Sequence, residues 1–419
     1  MMERLPGFRD FYPEPLPHAD LWSADGRQYI FEKWRHAART YGFREYDGPP
    51  VEPLELFTTK SGTEIVAQLY NFKDKGEREV ALRPEMTPTL ARMVAAHERS
   101  YKKPVKWFAI PQLFRYERQQ KGRLREHFQF NADIIGERDL SADAELIALL
   151  IDSLRSFGLT EADFVIRLSS RNAWHDFFVE HHGDTAKEYE FYQAIDKLER
   201  EEPAISEQKL KGLGFSLAAV TAFIEQGKPT DELKTILDNL AARGLADYIK
   251  VDYHVIRGLA YYTGIVFEAF DRKGDFRAIA GGGRYDNLVK LISGGKVDLP
   301  ALGFGMGDVV LLELLAARKL LPKFDAALDA FLLIEDESLR NESLKLIQDL
   351  RSAGFAVDYF FTPAKPDKQF KRANELKAAY TLKLECNANA EKRVMVRNLK
   401  TREEKALRTQ DIADHLRSA

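Results

Sequence analysis

Apolar and polar positions divide the chain into three stretches. In the first, to about Ser169, Leu21, Tyr29, Ile30, Trp34, Ala37, Ala38 and Tyr41 recur at roughly helical spacing over residues 21–41. Gly42 punctuates that run, and FREYDGPPVEP reads as a strand entering a Pro-rich turn. VKWFAIPQLFRYE and HFQFNADIIG alternate apolar and polar residues, which predicts two strands of an antiparallel pair joined by the polar KGRLR loop. The second stretch, 170–248, places apolar residues three and four apart within charged segments such as TDELKTILDNLAARGL, and predicts helices. Strand patterns resume with YIKVDYHVIRGLAYYTGIVFEAFDR. A Gly-rich turn at Gly281, Gly282 and Gly283 follows, then PALGFGMGDVVLLELLAARKLL as a strand breaking into a helix. The middle stretch thus reads as a helical insertion in a sheet-based domain covering 1–324. From 325 to 419, four strand patterns (LDAFLLI, AVDYFF, YTLKLEC, RVMVRN) alternate with two helical ones, predicting a small α/β domain with a mostly parallel sheet.

Composition narrows the chemistry. Cys386 is the single cysteine, which excludes an internal disulfide and any cysteine-based zinc site. The nine histidines are scattered without HExxH-type spacing, so no metal is expected from cysteine or histidine clusters, whereas a hard cation accompanying a phosphate substrate needs no such signature. No apolar run approaches the roughly 20 residues that span a bilayer. The charged, Pro-rich start MMERLPGFRDFYPEP lacks the apolar core of a signal peptide, so a cytoplasmic location without membrane contact is expected. A net charge of −3 excludes a polycationic coat for nucleic acid. Between Lys365 and Arg408, however, 13 Lys/Arg stand against 6 Asp/Glu, which suits either a solvated surface or a local basic face.

Arginines within strand patterns call for an explanation. FRYER carries Arg115, Glu117 and Arg118, and KGRLREH adds Arg123 and Arg125. Guanidinium forks beside a polar loop suit a polyphosphate; a cross-strand ladder of Glu and Arg is the structural alternative. In VIRGLAYYTG, Arg257 reads as part of an apolar strand followed by Tyr261 and Tyr262. Consecutive strand residues face opposite sides, so at most one tyrosine should meet a pocket. ALRPEMTPTLARM, with Arg83, Glu85 and Thr87, reads by itself as a helix start capped by Thr87 or Glu85. GGGRYD, Gly281–Asp286, lets backbone approach a ligand closely.

In the order PGFRD, YGFREYDGPPVEP, LRPEMT, FRYERQQKGRLREHFQFNADIIG, RGLAYYTG and GFGMGD, the chain resembles the histidyl-tRNA synthetase family along nearly its whole length. The resemblance implies an α+β catalytic domain on an antiparallel sheet, of class II synthetase type, with a helical insertion. It also implies a small C-terminal α/β anticodon-binding domain carrying PDKQFKRAN and VRNLKT. The activity implied is activation of L-histidine with ATP and Mg²⁺ to histidyl-adenylate, then transfer to tRNA(His), by a homodimer whose interface includes the first motif, YGFREYDGPPVEP. By the same likeness Glu85, Met86 and Thr87 line the α-amino side, while Gln129, Asp133, Tyr261 and Tyr262 bind histidine, Asp133 and Tyr262 facing the imidazole. Arg115 would hold the α-phosphate and the substrate carboxylate, and Arg257 would stabilise the α-phosphate from the opposite side. Glu117, Arg123 and His127 complete the implied ATP site, and Gln120 lies near the acceptor end of the tRNA. Catalysis would then rest on positioning and electrostatics.

The chain departs from the usual family pattern at three places. His127 stands where a phenylalanine stacks on adenine, Ala260 replaces an aspartate, and Val310 occupies the place of the third-motif arginine that helps bind ATP. These variants form the set REHFQ, RGLAYYTG and GFGMGD, as in some bacterial and organelle-type members. A non-catalytic regulatory paralogue sharing the catalytic fold is the main alternative, and the C-terminal domain and intact substrate-site residues argue against it.

Overall fold

The computed structural model describes residues 2–13, 22–61, 63–116, 122–257, 261–324, 328–386 and 391–418. The chain forms two compact units, Met1–Leu321 and Pro322–Ala419.

The first unit is built on a nine-stranded sheet. Its central strands, Val105–Ala109, Glu126–Ile135, Ala301–Gly307, Ala280–Arg284, Ile265–Asp271 and Phe164–Ser170, lie side by side in that order, all antiparallel. Arg44–Glu45 and Ile249–Val251 add parallel pairings at the two edges, and the short strand Gln112–Phe114 pairs with the start of Glu126–Ile135. The helix Ala24–Thr40 starts where the Ser23 side chain accepts the Gly26 N–H at 3.0 Å. It buries Ile30, Trp34, Ala37 and Ala38, with Trp34 stacked on Phe130 of the sheet at 5.7 Å. Helices Arg171–Glu180, Glu188–Lys197, Pro203–Gly212, Leu217–Gln226 and Asp231–Ala242 follow strand Phe164–Ser170 without an intervening strand. Trp174 and Phe177, Phe191 and Phe223 come from three of these helices and, with Phe215 between two helices, form an aromatic core.

Three readings of the sequence need correcting in this unit. Gly281–Gly283 do not form a turn: they are the middle of a fully buried strand, Ala280–Arg284, at the centre of the sheet. Arg257 is not in a strand; the next strand begins at Ile265, and Arg257 sits in the preceding loop with φ +55°. At the start of helix Thr87–Ala96 the cap position is Met86, and neither Glu85 nor Thr87 makes a side-chain cap.

The second unit has a five-stranded sheet in the order Val357–Tyr359, Ala330–Leu333, Tyr380–Cys386, Lys392–Asn398, Glu404–Leu407. The expected mostly parallel sheet is mixed, because the first two pairings are parallel and the last two antiparallel. Strand Glu404–Leu407, mostly exposed and charged, has no apolar pattern to announce it. Buried Gln369 ties helix Pro366–Glu375 to the sheet by accepting the Ile334 N–H at 2.8 Å and donating to the Ile334 carbonyl at 2.7 Å.

One buried ion pair locks the central strands of the first unit to helix Ser141–Arg155. Arg284 meets Asp143 through Nη2 at 2.5 Å and Nε at 3.0 Å, and donates to the carbonyls of Glu137 and Asp139. Both side chains are shielded from solvent, so removing the carboxylate strands a buried cation. Asp143→Ala is expected to destabilise the first unit by about 3–5 kcal/mol. Urea unfolding would show this as a lower midpoint; a loss under about 0.5 kcal/mol, as for an ordinary surface site, would contradict it.

Candidate active site

The alternation of strand Glu126–Ile135 builds one wall of a cavity of ≈ 560 Å³. His127, Gln129, Asn131 and Asp133 point into it, while Phe128 and Phe130 pack on the opposite side against Phe31 and Trp34. The registers continue the cavity floor across the sheet: Asp133 pairs with Gly303, Asn131 with Gly305, and Gly305 in turn with Gly281, which faces Glu268. This floor has almost no side chains of its own. A Cβ on Gly303 would overlap the Asp133 carboxylate, one on Gly281 would overlap the Arg257 guanidinium, and one on Gly305 would stand 2.7 Å from Gln129 Cδ. The polar heads of three flanking residues therefore lie over a lane of glycines.

Asp133 is buried, and its Oδ1 accepts the Tyr285 hydroxyl at 2.5 Å. Burial pushes its pKa up to about 7, even though the Tyr285 hydrogen bond favours the anion. His127 is held down at about 3 by burial and by the nearby charges of Arg115 and Arg9, so at neutral pH it offers an uncharged ring. Across the lane, Arg257 pairs with Glu268 at 2.5 Å and reaches the Tyr262 hydroxyl at 3.4 Å. Burial disfavours its charge, but Tyr262 and Glu268 more than compensate, and its pKa lies above the ordinary arginine value. Tyr261 donates to Glu85 at 3.4 Å, and Arg115 donates from Nε to the Pro84 carbonyl at 3.0 Å.

The cavity brings together Glu85, Thr87, Arg115, Arg123, His127, Gln129, Asp133, Arg257, Tyr261 and Tyr262. Both tyrosines line it, against the expectation of at most one, because they lie on a turn rather than a strand; their rings are 4.7 Å apart. The Met86 side chain is wholly buried and does not line the cavity; its sulfur lies 3.8 Å from Arg83 Nη1. Glu117, Gln120 and Ala260 lie outside the described residues. Val310 lines the cavity, with its Cγ2 3.4 Å from where a Cβ on Gly122 would stand.

Sequence reasoning missed several contributors. Asn131 shares the parity of Gln129 and Asp133, a signal that was available. Tyr285, Glu268, Asp196 and Arg200 reach the cavity only through the fold. Arg9, of PGFRD, holds Glu126 at 2.6 Å and Asp308 at 2.8 Å, and Asp308 accepts the Phe128 N–H at 3.0 Å. Asp308 of GFGMGD therefore joins the back of the cavity strand to the helix Asp308–Ala317. Arg171 is also new: its guanidinium donates to the carbonyls of Ile256, Arg257 and Tyr262 at 3.1, 2.8 and 2.7 Å. A left-handed non-glycine residue such as Arg257 costs about 1–3 kcal/mol, and each hydrogen bond from a charged donor contributes about 1.5–3 kcal/mol, so these bonds are enough to hold the loop.

The arrangement joins a polar pocket for a small cationic or amphoteric head to a group of arginines suited to anionic oxygens. Residues 19–308 match the family described as histidyl-tRNA synthetase, and residues 329–419 match the anticodon binding domain. A histidine–tRNA ligase from Opitutus terrae is 47% identical, with 96% of this chain and 95% of that protein aligned. The chloroplastic/mitochondrial histidine–tRNA ligase of Arabidopsis thaliana is 39% identical over 89% of this chain and 78% of its own length. The crystal structure of a histidyl-tRNA synthetase from a Nostoc species superposes with a TM-score of 0.80 at 22% identity, covering 100% of this chain and 99% of that one.

The titration of Asp133 sets a pH signature for the free protein. Its carboxyl binds a proton near pH 7 when folded but only near pH 4 when unfolded. Between those values the folded state holds the extra proton, so this group's contribution to stability falls as pH rises toward about 7. Asp133→Asn is expected to flatten the decline in melting temperature between about pH 4 and 7. An unchanged pH profile in that variant would show that Asp133 does not titrate in this range.

Proposed function

The chain belongs to the histidyl-tRNA synthetase family, and from that premise we propose how its cavity activates histidine with ATP before transfer to tRNA. The observation that carries the proposal is the glycine lane, with Gln129 and Asp133 on one side and Arg257 and Tyr262 on the other. Histidine lies over the lane. Its imidazole, with one donor and one acceptor nitrogen, is met by Asp133 and Tyr262, and its ammonium by Glu85 with Thr87, Tyr261 and Gln129 completing that side. An amino acid without ring nitrogens would leave those buried groups unpaired, which is a strong ground for rejection.

ATP enters as its Mg²⁺ complex, with adenine beside the uncharged ring of His127 and the phosphates toward Arg115 and Arg123; Glu117 is assigned to the same ATP site by the family resemblance. A histidine carboxylate oxygen attacks the α-phosphorus, the bond to the bridging oxygen breaks, and pyrophosphate leaves with that electron pair. Arg115 and Arg257 bind the α-phosphate oxygens from opposite sides and stabilise the charge that builds there, so the protein supplies position and electrostatics and no nucleophile. In the second step a ribose hydroxyl at the tRNA 3′ end attacks the acyl carbon and AMP departs. Gln120 is assigned to the acceptor end. The unit beyond Pro322, which matches the anticodon binding domain, engages the other end of the same tRNA. The resemblance of YGFREYDGPPVEP to the dimer-forming motif supports a homodimer. No helix among the described residues is long and apolar enough to cross a membrane, and the cytoplasm is the proposed site of action.

Histidine-dependent exchange of labelled pyrophosphate into ATP tests the proposal. The purified chain is expected to catalyse it, and Arg257→Ala to lose roughly 10²–10³ in rate, as for removal of one transition-state donor. Histidine binding without exchange would overturn the catalytic reading, and full activity in Arg257→Ala would overturn the role given to that arginine.

A further inference from the structure

Arg171 is the first residue of helix Arg171–Glu180, where the central strand Phe164–Ser170 gives way to the helical insertion. Its side chain is buried; burial disfavours its charge, and the Asp196 carboxylate favours that charge only at a distance. A buried guanidinium is normally matched by an anion. This one is matched instead by three backbone carbonyls, all from one short segment: Ile256, Arg257 and Tyr262. Two of these carbonyls belong to residues whose side chains enter the cavity. The segment also contains the left-handed backbone of Arg257. The other face of the Arg171 guanidinium lies 4.9 Å from the ring of Tyr192, on helix Glu188–Lys197 of the insertion. That same helix brings Asp196 to the cavity wall, with Arg200 just beyond it.

We propose that Arg171 is a positioning residue for histidine activation, fastening the loop that carries Arg257 and Tyr262 to the helical insertion. The fork geometry explains why an arginine serves here. One planar guanidinium presents Nε, Nη1 and Nη2 to three carbonyls in fixed directions, whereas a lysine ammonium is a single point from which the three cannot be reached together in that geometry. Arg171 touches neither the histidine nor the ATP of the preceding proposal. It acts by keeping Arg257 and Tyr262 at the distance from Asp133 and Gln129 that the glycine lane sets. The insertion is then more than an addition to the sheet: through Tyr192 and Arg171 its packing bears on the catalytic loop.

The inference rests on the proposed activation chemistry, and two readouts separate them. The full-length protein and its Arg171→Lys and Tyr192→Leu variants would be compared by amide hydrogen exchange and by pyrophosphate exchange. In Arg171→Lys, peptides containing Ile256, Arg257 and Tyr262 are expected to exchange faster while those of Glu126–Ile135 and Ala301–Gly307 keep wild-type protection. The turnover number should fall by about 100-fold, the loss typical of misplacing a reacting group. Tyr192→Leu should shift both readouts in the same direction by less. Faster hydrogen exchange spread evenly over the first unit would overturn the proposal in favour of a general structural role. So would wild-type protection of the loop, or a wild-type turnover number in folded Arg171→Lys. If the wild-type protein itself failed to exchange pyrophosphate, the activation reading would fall while the loop-protection result still decided whether Arg171 fastens the segment.

Discussion

The site depends on the absence of side chains at the centre of the sheet. Gly281, Gly303 and Gly305 sit on two adjacent antiparallel strands with their cavity-facing positions in register. Any Cβ there would collide with, or press against, the head of Arg257, Asp133 or Gln129. A sheet interior normally fills such a space with branched side chains, which pack well on the pleat. Here the packing is given up so that polar groups from the two flanking segments can lie flat over backbone. The cost in strand propensity is carried by neighbours: the buried Arg284–Asp143 pair fastens one of these strands to a helix, and Arg9 with Glu126 and Asp308 braces the cavity strand from behind.

The two walls of the cavity are held by different means. Gln129 and Asp133 belong to a ten-residue strand paired on both sides, so their positions follow from the ladder itself. Arg257, Tyr261 and Tyr262 lie on a loop and need outside support, which the carbonyl contacts of Arg171 supply. One wall is therefore as rigid as the sheet, whereas the other is as rigid as its attachment to the helical insertion. This asymmetry fits a reaction in which one substrate group is recognised by shape and the other is drawn toward developing charge.

Much of this was legible in the chain. The alternation HFQFNADII places Gln129 and Asp133 on one face and predicts the strand that carries them, and the helical spacing through Trp34 marks the helix behind it. What was not legible has physical reasons. Glycine carries no apolar signal and is common in turns, so the Gly281–Gly283 strand looked like a turn, although only its burial lets it serve the site. VIRGLAYY has strand composition, but the left-handed backbone at Arg257 takes it out of the sheet and turns both tyrosines inward. Arg171, Tyr285 and Arg9 act on partners about 80 to 300 positions away in the chain, so no local pattern could have announced them. The position of Val310, on helix Asp308–Ala317 beside Gly122, likewise emerges only from the fold.

The central claim is that the glycine lane creates the histidine pocket, and Gly303→Ala tests it most directly. The added methyl would meet the Asp133 carboxylate and stand 3.1 Å from the Ala132 carbonyl oxygen, so Asp133 must give up its place beside Tyr285 for the strand to stay folded. The account predicts a near-wild-type circular dichroism spectrum with histidine-dependent pyrophosphate exchange reduced by roughly 100-fold, through displacement of Asp133. Wild-type kinetic constants for histidine in a folded Gly303→Ala protein would contradict it.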